Sequence, residues 1–442
     1  MTDPIRIDRS ATTPWDSEDA AMSVVPGRAV GGRWARLRPA IVFSVVMLAA
    51  GLLHGPVLRD GVTLGAAPAQ LKLPFGYILL APLCAVWDAL SLLTAQQHLW
   101  LINSTLLLSA LAGAWWPRAD TRWTRRLRGG LIGGVVALLT IVVVYAAGAL
   151  LPRPMAAIAL SARDDLAIDF HSHTDASWDG RRWFGLSDRR DWHSEAGFNV
   201  AYITEHSTAT VTGGSVGNPA RAGDSLVLLR GVELACGGPH LIWLGATPEF
   251  AASHCSKEGV RAGPSGGGAP VIALATLPAD LAQVRATAGL AGVELVDAAP
   301  RALDQLARDR GAIVGLAAAR HIGVVASSNN HGWGRTSACW SVMTIPGWRD
   351  MSPSALDGAI RRALATDPEH AVRVIERRGP SAAISDAELA TSAPEFAWNL
   401  LTGLSLLERL AWVGWIWALV GLAAMLRRWR SARSTRHLTL AR

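Results

Sequence analysis

Apolar and polar positions along this chain are arranged in two different ways. Four long apolar runs, 39–58, 98–116, 130–151 and 410–426, read as membrane-length helices, since about 20 residues cross a hydrocarbon core. A fifth run, 73–93, is interrupted by Asp88 and reads as either a span or an interfacial helix. Between these flanks, short apolar runs of strand length alternate with helical patterns such as Arg189–Gly197 and Arg301–Gly311. Residues 164–380 are therefore expected to form one α/β domain of parallel βα units. The pattern predicts a disordered polar tail over 1–38 and a membrane region over 39–151. It also predicts an interfacial helix plus span over 398–426 and a basic tail over 427–442.

The apolar runs of the central domain end in potential ligands. Leu166-Ala-Ile-Asp-Phe-His-Ser-His puts Asp169, His171 and His173 on one face by strand alternation, with Asp179-Gly180 shortly after. Asn199-Val-Ala-Tyr-Ile-Thr-Glu-His ends at Glu205 and His206. Ser225-Leu-Val-Leu-Leu-Arg-Gly-Val-Glu ends at Glu233, and His240 follows a short gap. Gly323-Val-Val-Ala-Ser-Ser-Asn-Asn-His supplies Asn329 and His331. In closed βα barrels the site lies at the carboxyl ends of the strands, where all of these residues fall.

These motifs, in this order over about 165–380, resemble those of the PHP (polymerase and histidinol phosphatase) domain. The resemblance implies a distorted (βα)7 barrel, here inserted between transmembrane helices, with two or three metal ions that hydrolyse phosphate esters. It implies that His171, His173 and Glu233 hold one ion and that Asp179, His206 and His331 hold a second. Glu233 or a hydroxide would bridge them, and His240 matches a ligand of a further ion. The chain departs from the pattern at Asn329, where the family usually has Asp, and at Thr276, where it usually has His. An amide oxygen coordinates a hard ion without adding charge, and a hydroxyl replaces imidazole poorly. Two ions are therefore expected.

Mixed imidazole and carboxylate ligands without thiolate suit Zn, Mn or Fe. Two such ions activate water for in-line attack and neutralise phosphoryl charge. Arg181, Arg182 and Arg335 follow ligand motifs and are candidates for clamping substrate phosphate, or else surface arginines. Trp333 reads equally as a pocket wall or a packing residue. His193, His254, His321 and His370 read as exposed structural residues. The glycine-rich segments 213–219 and 263–268 read as loops. Cys236 reads as a small buried hydrophobe, and the four cysteines as no disulfide framework.

Composition relocates the charge. Half the chain is hydrophobic and 17% is charged, a membrane-like balance. The net charge is +7, but 164–380 carries about −3, so the basicity belongs to the flanks and a nucleic-acid partner is not indicated. Arginines cluster at 28–38, 118–128 and 427–436; placing all three in the cytoplasm needs four spans and puts the central domain outside. The leading expectation is a multi-pass, membrane-anchored metal-dependent phosphoesterase with catalytic His171, His173, Asp179, His206, Glu233 and His331, assisted by Arg181 and Arg335. Its substrate would be a phosphorylated small molecule or cell-envelope compound. The alternative is a non-catalytic relative binding a phosphorylated ligand or partner. A metal-dependent amidohydrolase would want a bridging lysine, and neither Lys72 nor Lys257 is placed for it.

Overall fold

A computed structural model describes residues 31–53, 55–115, 122–206, 217–236, 239–256, 259–260, 269–277, 280–377 and 388–439. Its strands are β1 (Leu58–Asp60), β2 (Ala69–Lys72), β3 (Ala157–Leu160), β4 (Asp165–Asp169), β5 (Val200–Ile203), β6 (Val227–Ala235) and β7 (His240–Leu244). They continue with β8 (Cys255–Ser256), β9 (Gly259–Val260), β10 (Ile272–Ala275), β11 (Gly292–Asp297), β12 (Gly323–Ser327), β13 (Cys339–Thr344) and β14 (Arg373–Arg377). Ten of these form one curled sheet in the order β1-β14-β13-β4-β5-β6-β7-β10-β11-β12.

This corrects the expected (βα)7 barrel between transmembrane helices. The sheet is mixed. Parallel ladders join β4, β5 and β6, and again β10, β11 and β12. Strand β7 runs antiparallel to both β6 and β10, and β13 and β14 add antiparallel strands beyond β4. The physical cause is chain length. Only four residues separate Ala235 from His240, enough for a hairpin and far short of a parallel crossover. No ladder joins β12 back to β13 or β4 among the described residues, so the sheet is a half-barrel. Side chains and single bridges draw its curled edge inward: Ser341 Oγ donates to Ala326 O at 2.8 Å and accepts from Ala326 N at 2.8 Å, while Asn329 N donates to His171 O at 2.9 Å.

The helices are α1 (Gly31–Ala49), α2 (Phe75–Leu79), α3 (Ala81–Ser91), α4 (Ala95–Trp115), α5 (Trp123–Leu150), α6 (Leu186–Glu195), α7 (Pro248–His254), α8 (Leu281–Ala286), α9 (Pro300–Arg320), α10 (Pro353–Thr366), α11 (Pro368–Ala371), α12 (Glu388–Gly403) and α13 (Leu406–Thr439). Helix α10 shows how sequence becomes packing. Ser352 caps it by accepting from Ala355 N at 3.3 Å, Pro353 occupies its first turn, and Leu356, Ile360 and Leu364 repeat every fourth residue. That stripe is buried in one cluster with Leu166 and Ile168 of β4, Phe170 just beyond it, and Val200 and Tyr202 of β5.

Two helices, Trp123–Leu150 and Leu406–Trp429, are long and apolar enough to cross a membrane. They contain the expected span 410–426 and all but the last residue of 130–151. The other expectations change. The apolar part of the first helix is Leu37–Leu53, and Leu58 already belongs to the sheet. Helix α4 covers 98–115 of the expected span 98–116 but falls outside that length-and-hydropathy class, since Gln96, Gln97, His98 and Asn103 dilute it. Run 73–93 breaks into α2 and α3. Residues 31–38 are helical rather than tail, while 1–30 lie outside the described residues, as do most of the glycine-rich loops. The expected tail 427–442 continues α13 as far as Thr439.

Asp88 explains why α3 is not a simple span. Its buried carboxylate pairs with Arg153 Nη1 at 2.8 Å and with Arg377 of β14, and accepts from Tyr77 at 2.8 Å and Thr336 at 2.7 Å. A carboxylate this deep persists only because it is paired, and the pairing ties α3 to the sheet. Cys236 and Cys255 form a disulfide between the end of β6 and the end of α7. This overturns the reading of Cys236 as a lone hydrophobe; Cys84 and Cys339 are free and buried.

Candidate metal centre

Strand β4 ends at Asp169, and beyond it alternation no longer dictates facing. Asp169 does not join His171 and His173; its carboxylate instead takes His193 Nε2 at 2.7 Å and Ser328 N at 2.9 Å. Burial alone would raise the Asp169 pKa, but the hydrogen bond from His193 and its charge hold it below the usual value. His193 is therefore fully buried, not exposed, and its role is to anchor the strand end to α6.

His171 and His173 are also buried, with their Nε2 atoms 3.0 Å apart. Glu233, near the end of β6, is the hub. Its Oε2 lies 3.2 Å from each of those nitrogens and 3.3 Å from His206 Nδ1, and its Oε1 lies 2.8 Å from His240 Nδ1. Asp179 Oδ2 is 3.3 Å from His206 Nε2 and 3.2 Å from His331 Nε2. Asp179 is carried by a turn that demands glycine next in line: a Cβ on Gly180 would come within 2.0 Å of Thr174 O.

The far side of each ring is tied down. His171 Nδ1 meets Glu294 Oε1 at 3.0 Å, and His173 Nδ1 donates to Ser177 Oγ at 3.0 Å, whose hydroxyl donates in turn to Glu205. His331 Nδ1 donates to Asn329 O at 2.9 Å. Such partners fix the tautomer and aim each Nε2 lone pair inward, as metal-ligating histidines require.

The groupings His171/His173/Glu233, His173/His206/His331, His206/Glu233/His240 and His171/Glu294/Asp297 could each hold a metal ion, their ligand atoms lying within 4.8 Å of one another. Two buried oxygens, Asp179 Oδ1 and Asn329 Oδ1, have no hydrogen-bond partner. Buried polar atoms are normally satisfied, so unpaired acceptors beside converging imidazoles fit a cation.

Titration follows the same geometry. Burial works against a charged His171, but Glu294 and Glu233 raise its pKa well above the usual value. Burial lowers His173 to about 3, so it is a neutral acceptor facing a protonated neighbour. Burial would raise Glu233, yet His171 and the other rings around it hold it far below the carboxylate range. The Nε2 proton of His171 thus sits where a cation would exert the same attraction. Asp297 is pushed up to about 8 by burial and by the neighbouring Glu294.

Most of the sequence-derived ligands do converge: His171, His173, Asp179, His206, Glu233, His240 and His331. Asn329 is adjacent, with a left-handed φ of 41° and its Nδ2 donating to Asp297 at 2.8 Å. Thr276 donates to His240 O at 3.2 Å, a structural bond in place of a ligand. Arg335 does not belong to the centre, because its guanidinium is committed to Glu195 and to Arg153 O at 2.7 Å. Arg181 lies at the rim, reaching Gly332 O at 3.3 Å and stacking 5.6 Å over half-exposed Trp333.

Glu294 and Asp297 were missed. Spaced by three, they should face opposite sides of β11, but a register shift between Glu294 and Val296 turns both inward. Their signal in the sequence was two acids inside an otherwise apolar strand, since acids are rarely buried unless paired.

No family model matches the chain, and no curated protein matches it. Among solved structures, the crystal structure of PsfC from Pseudomonas syringae is similar at 16% identity and a TM-score of 0.32, over 53% of this chain and 96% of PsfC. A likeness of that size carries no argument about fold or function.

Proposed function

We propose that this protein is a membrane-anchored, metal-dependent phosphoesterase of the kind implied by the resemblance to PHP domains. The observation that carries the reading is Glu233, one buried carboxylate on which a ring nitrogen from each of four imidazoles converges. His171, His173 and Glu233 would hold one divalent ion, and Asp179, His206 and His331 a second, with Asn329 Oδ1 at the edge. Nitrogen and oxygen donors without thiolate suit Zn, Mn or Fe. When bound, such a pair supplies Lewis-acid polarisation of a phosphoryl oxygen and a lowered pKa for water.

The chain's own groups do the rest. Glu294 and Ser177 keep the His171 and His173 rings oriented. His240, half-exposed and raised above its usual pKa by its hydrogen bond to Glu233, can hold a proton for a leaving alkoxide. Arg181 at the rim can meet phosphate. In the net reaction the water oxygen bonds to phosphorus, the phosphorus–oxygen ester bond breaks, and one water proton ends on the alcohol.

Helices α5 and α13 would anchor the chain in a bilayer, with α1 and α4 beside them making it multi-pass. The Cys236–Cys255 disulfide favours an oxidising compartment for the sheet, which agrees with the placement outside the cytoplasm inferred from arginine distribution.

The test is metal stoichiometry of the full chain in detergent by elemental mass spectrometry, followed by a phosphoester screen. Two ions per chain, lost in His171→Ala/His173→Ala, with ester hydrolysis is the expected result. No ion after loading with Mn or Zn would overturn the reading. The uncharged Asn329 and the bond-sharing Thr276 favour a second reading, a binding module without turnover, which ion occupancy and phosphate binding without hydrolysis would select.

A further inference from the structure

A cavity of about 370 Å³ runs between the metal centre and the helices. It is lined by His331, Asn329 and Trp333 from the segment after β12, and by Trp87, Leu90, Val144 and Tyr145 from α3 and α5. Val144 lies six residues inside the end of α5, one of the two helices apolar enough to cross a membrane, so the cavity reaches about 9 Å along that span. The inner walls offer little for a polar guest. Trp87 Nε1 is already spent on Val144 O at 2.9 Å, and Tyr145 OH on His98 Nδ1 at 2.7 Å.

Exposed tryptophans sit in the two segments that carry Asp179 and His331. Trp178 is 84% exposed and stacks 5.9 Å from His206; Trp183 is 88% exposed and held at a φ of 65°, and Trp333 is 55% exposed. A left-handed bulky residue is a strained placement, and exposed tryptophans are the residues that settle at a bilayer interface. Candidate metal-binding side chains on one side, an apolar slot beside the end of α5, and the half-exposed Trp333 on its lining together describe an amphiphile.

We infer that the cavity seats the apolar chain of a phosphorylated lipid, with its phosphate at the His331 and Asn329 end. The hydrolysis of that phosphate rests on the proposed function; the seating of the chain does not.

The experiment uses the full chain in phosphatidylcholine nanodiscs and two probes, dodecyl phosphate carrying a diazirine near the end of its alkyl chain, and butyl phosphate. Photolabelling is expected on Trp87, Val144 or Tyr145, competed by unlabelled dodecyl phosphate at least about tenfold better than by butyl phosphate, because each buried methylene adds to binding. Val144→Trp, which fills the slot, should cut the labelling about tenfold; should that variant not fold, the chain-length comparison on the natural sequence decides. Label confined to the outer faces of the helices, or competition indifferent to chain length, would overturn the inference. Equal hydrolysis of both esters without cavity labelling would overturn it while leaving the phosphoesterase intact. Cavity labelling without hydrolysis of either ester would uphold the lipid site and remove the phosphoesterase.

Discussion

Glu294 Oε1 and His171 Nδ1 stand 3.0 Å apart although 123 residues separate them in the chain. The contact joins β11 to the end of β4 across the curl of the sheet. It decides which nitrogen of His171 faces the other ligands.

Removing the charge at that contact should loosen the centre without unfolding it. Glu294→Gln is expected to weaken divalent metal binding about 10–100-fold, the usual effect of losing a partner that orients a ligand. Chelator competition gives the affinity, and an unaltered circular dichroism spectrum shows that the sheet persists. An unchanged affinity would remove Glu294 from the site.

Asn329→Asp places a second carboxyl beside Asp297, which is already pushed up to about 8 by burial and Glu294. Without metal this should destabilise the fold by about 1–3 kcal/mol, the cost of a buried acceptor losing its donor. With metal, the added charge should strengthen binding several-fold. The melting temperature should therefore fall less with saturating Mn than without it; an equal fall would contradict the placement of Asn329 at the centre.

Metal binding must displace the proton that Glu294 and Glu233, against burial, hold on His171 above its usual pKa. Below that raised pKa the ion held by His171 releases a proton on binding, so its affinity should fall by up to about tenfold per pH unit as pH decreases. The slope should persist up to that raised pKa and flatten above it. Titration calorimetry in buffers of different ionisation enthalpy measures the proton released, and zero release at pH 7 would refute the assignment.

Asp88 joins helices to sheet through Arg153 and Arg377. Burial opposes its ionisation, but the two arginines hold its pKa below the usual carboxylate value. Its stabilisation is therefore fully present above the unfolded pKa of about 3.9 and is lost as pH falls through the lower folded value. Asp88→Asn leaves buried guanidinium groups uncompensated and should cost about 3–5 kcal/mol. Limited proteolysis between α5 and β3 would read it, and an unaltered cleavage rate would argue against the link.

Reducing Cys236–Cys255, which are 19 residues apart, should lower the stability of the sheet by about 3 kcal/mol, the value for a loop of that size. Thermal melts with and without reductant test this. Equal melting temperatures would indicate that the bond does not constrain the chain.

Much of the centre was legible before any coordinates because its ligands sit at the ends of apolar runs. His171, His173, Glu205, His206, Asn329 and His331 follow strands whose burial is written in their side chains, and Glu233 lies near the end of one. Arg335 shows the limit of proximity in sequence. It follows His331 by four residues, yet its side chain turns to Glu195. His193 looked like a surface residue of a helix because nothing local marks the buried Asp169 that receives it. The apolar runs found two helices of membrane length, but Asp88 in run 73–93 had its partners at 153 and 377.

The sequence by itself marked the apolar runs from which most strands and helices form, the positions of the candidate metal-binding side chains, and the assignment of the basic charge to the flanks. Those are local properties, set by side-chain period and composition over a few residues. Tertiary structure alone decided that β7, β13 and β14 run antiparallel, so that the sheet curls into a half-barrel. It alone paired Cys236 with Cys255, turned Glu294 and Asp297 inward at a bulge, and set the α5 cavity against His331. Each of these depends on contacts between segments tens to hundreds of residues apart. Direction, register and burial at such contacts follow from how the whole chain closes on itself, which no local pattern encodes.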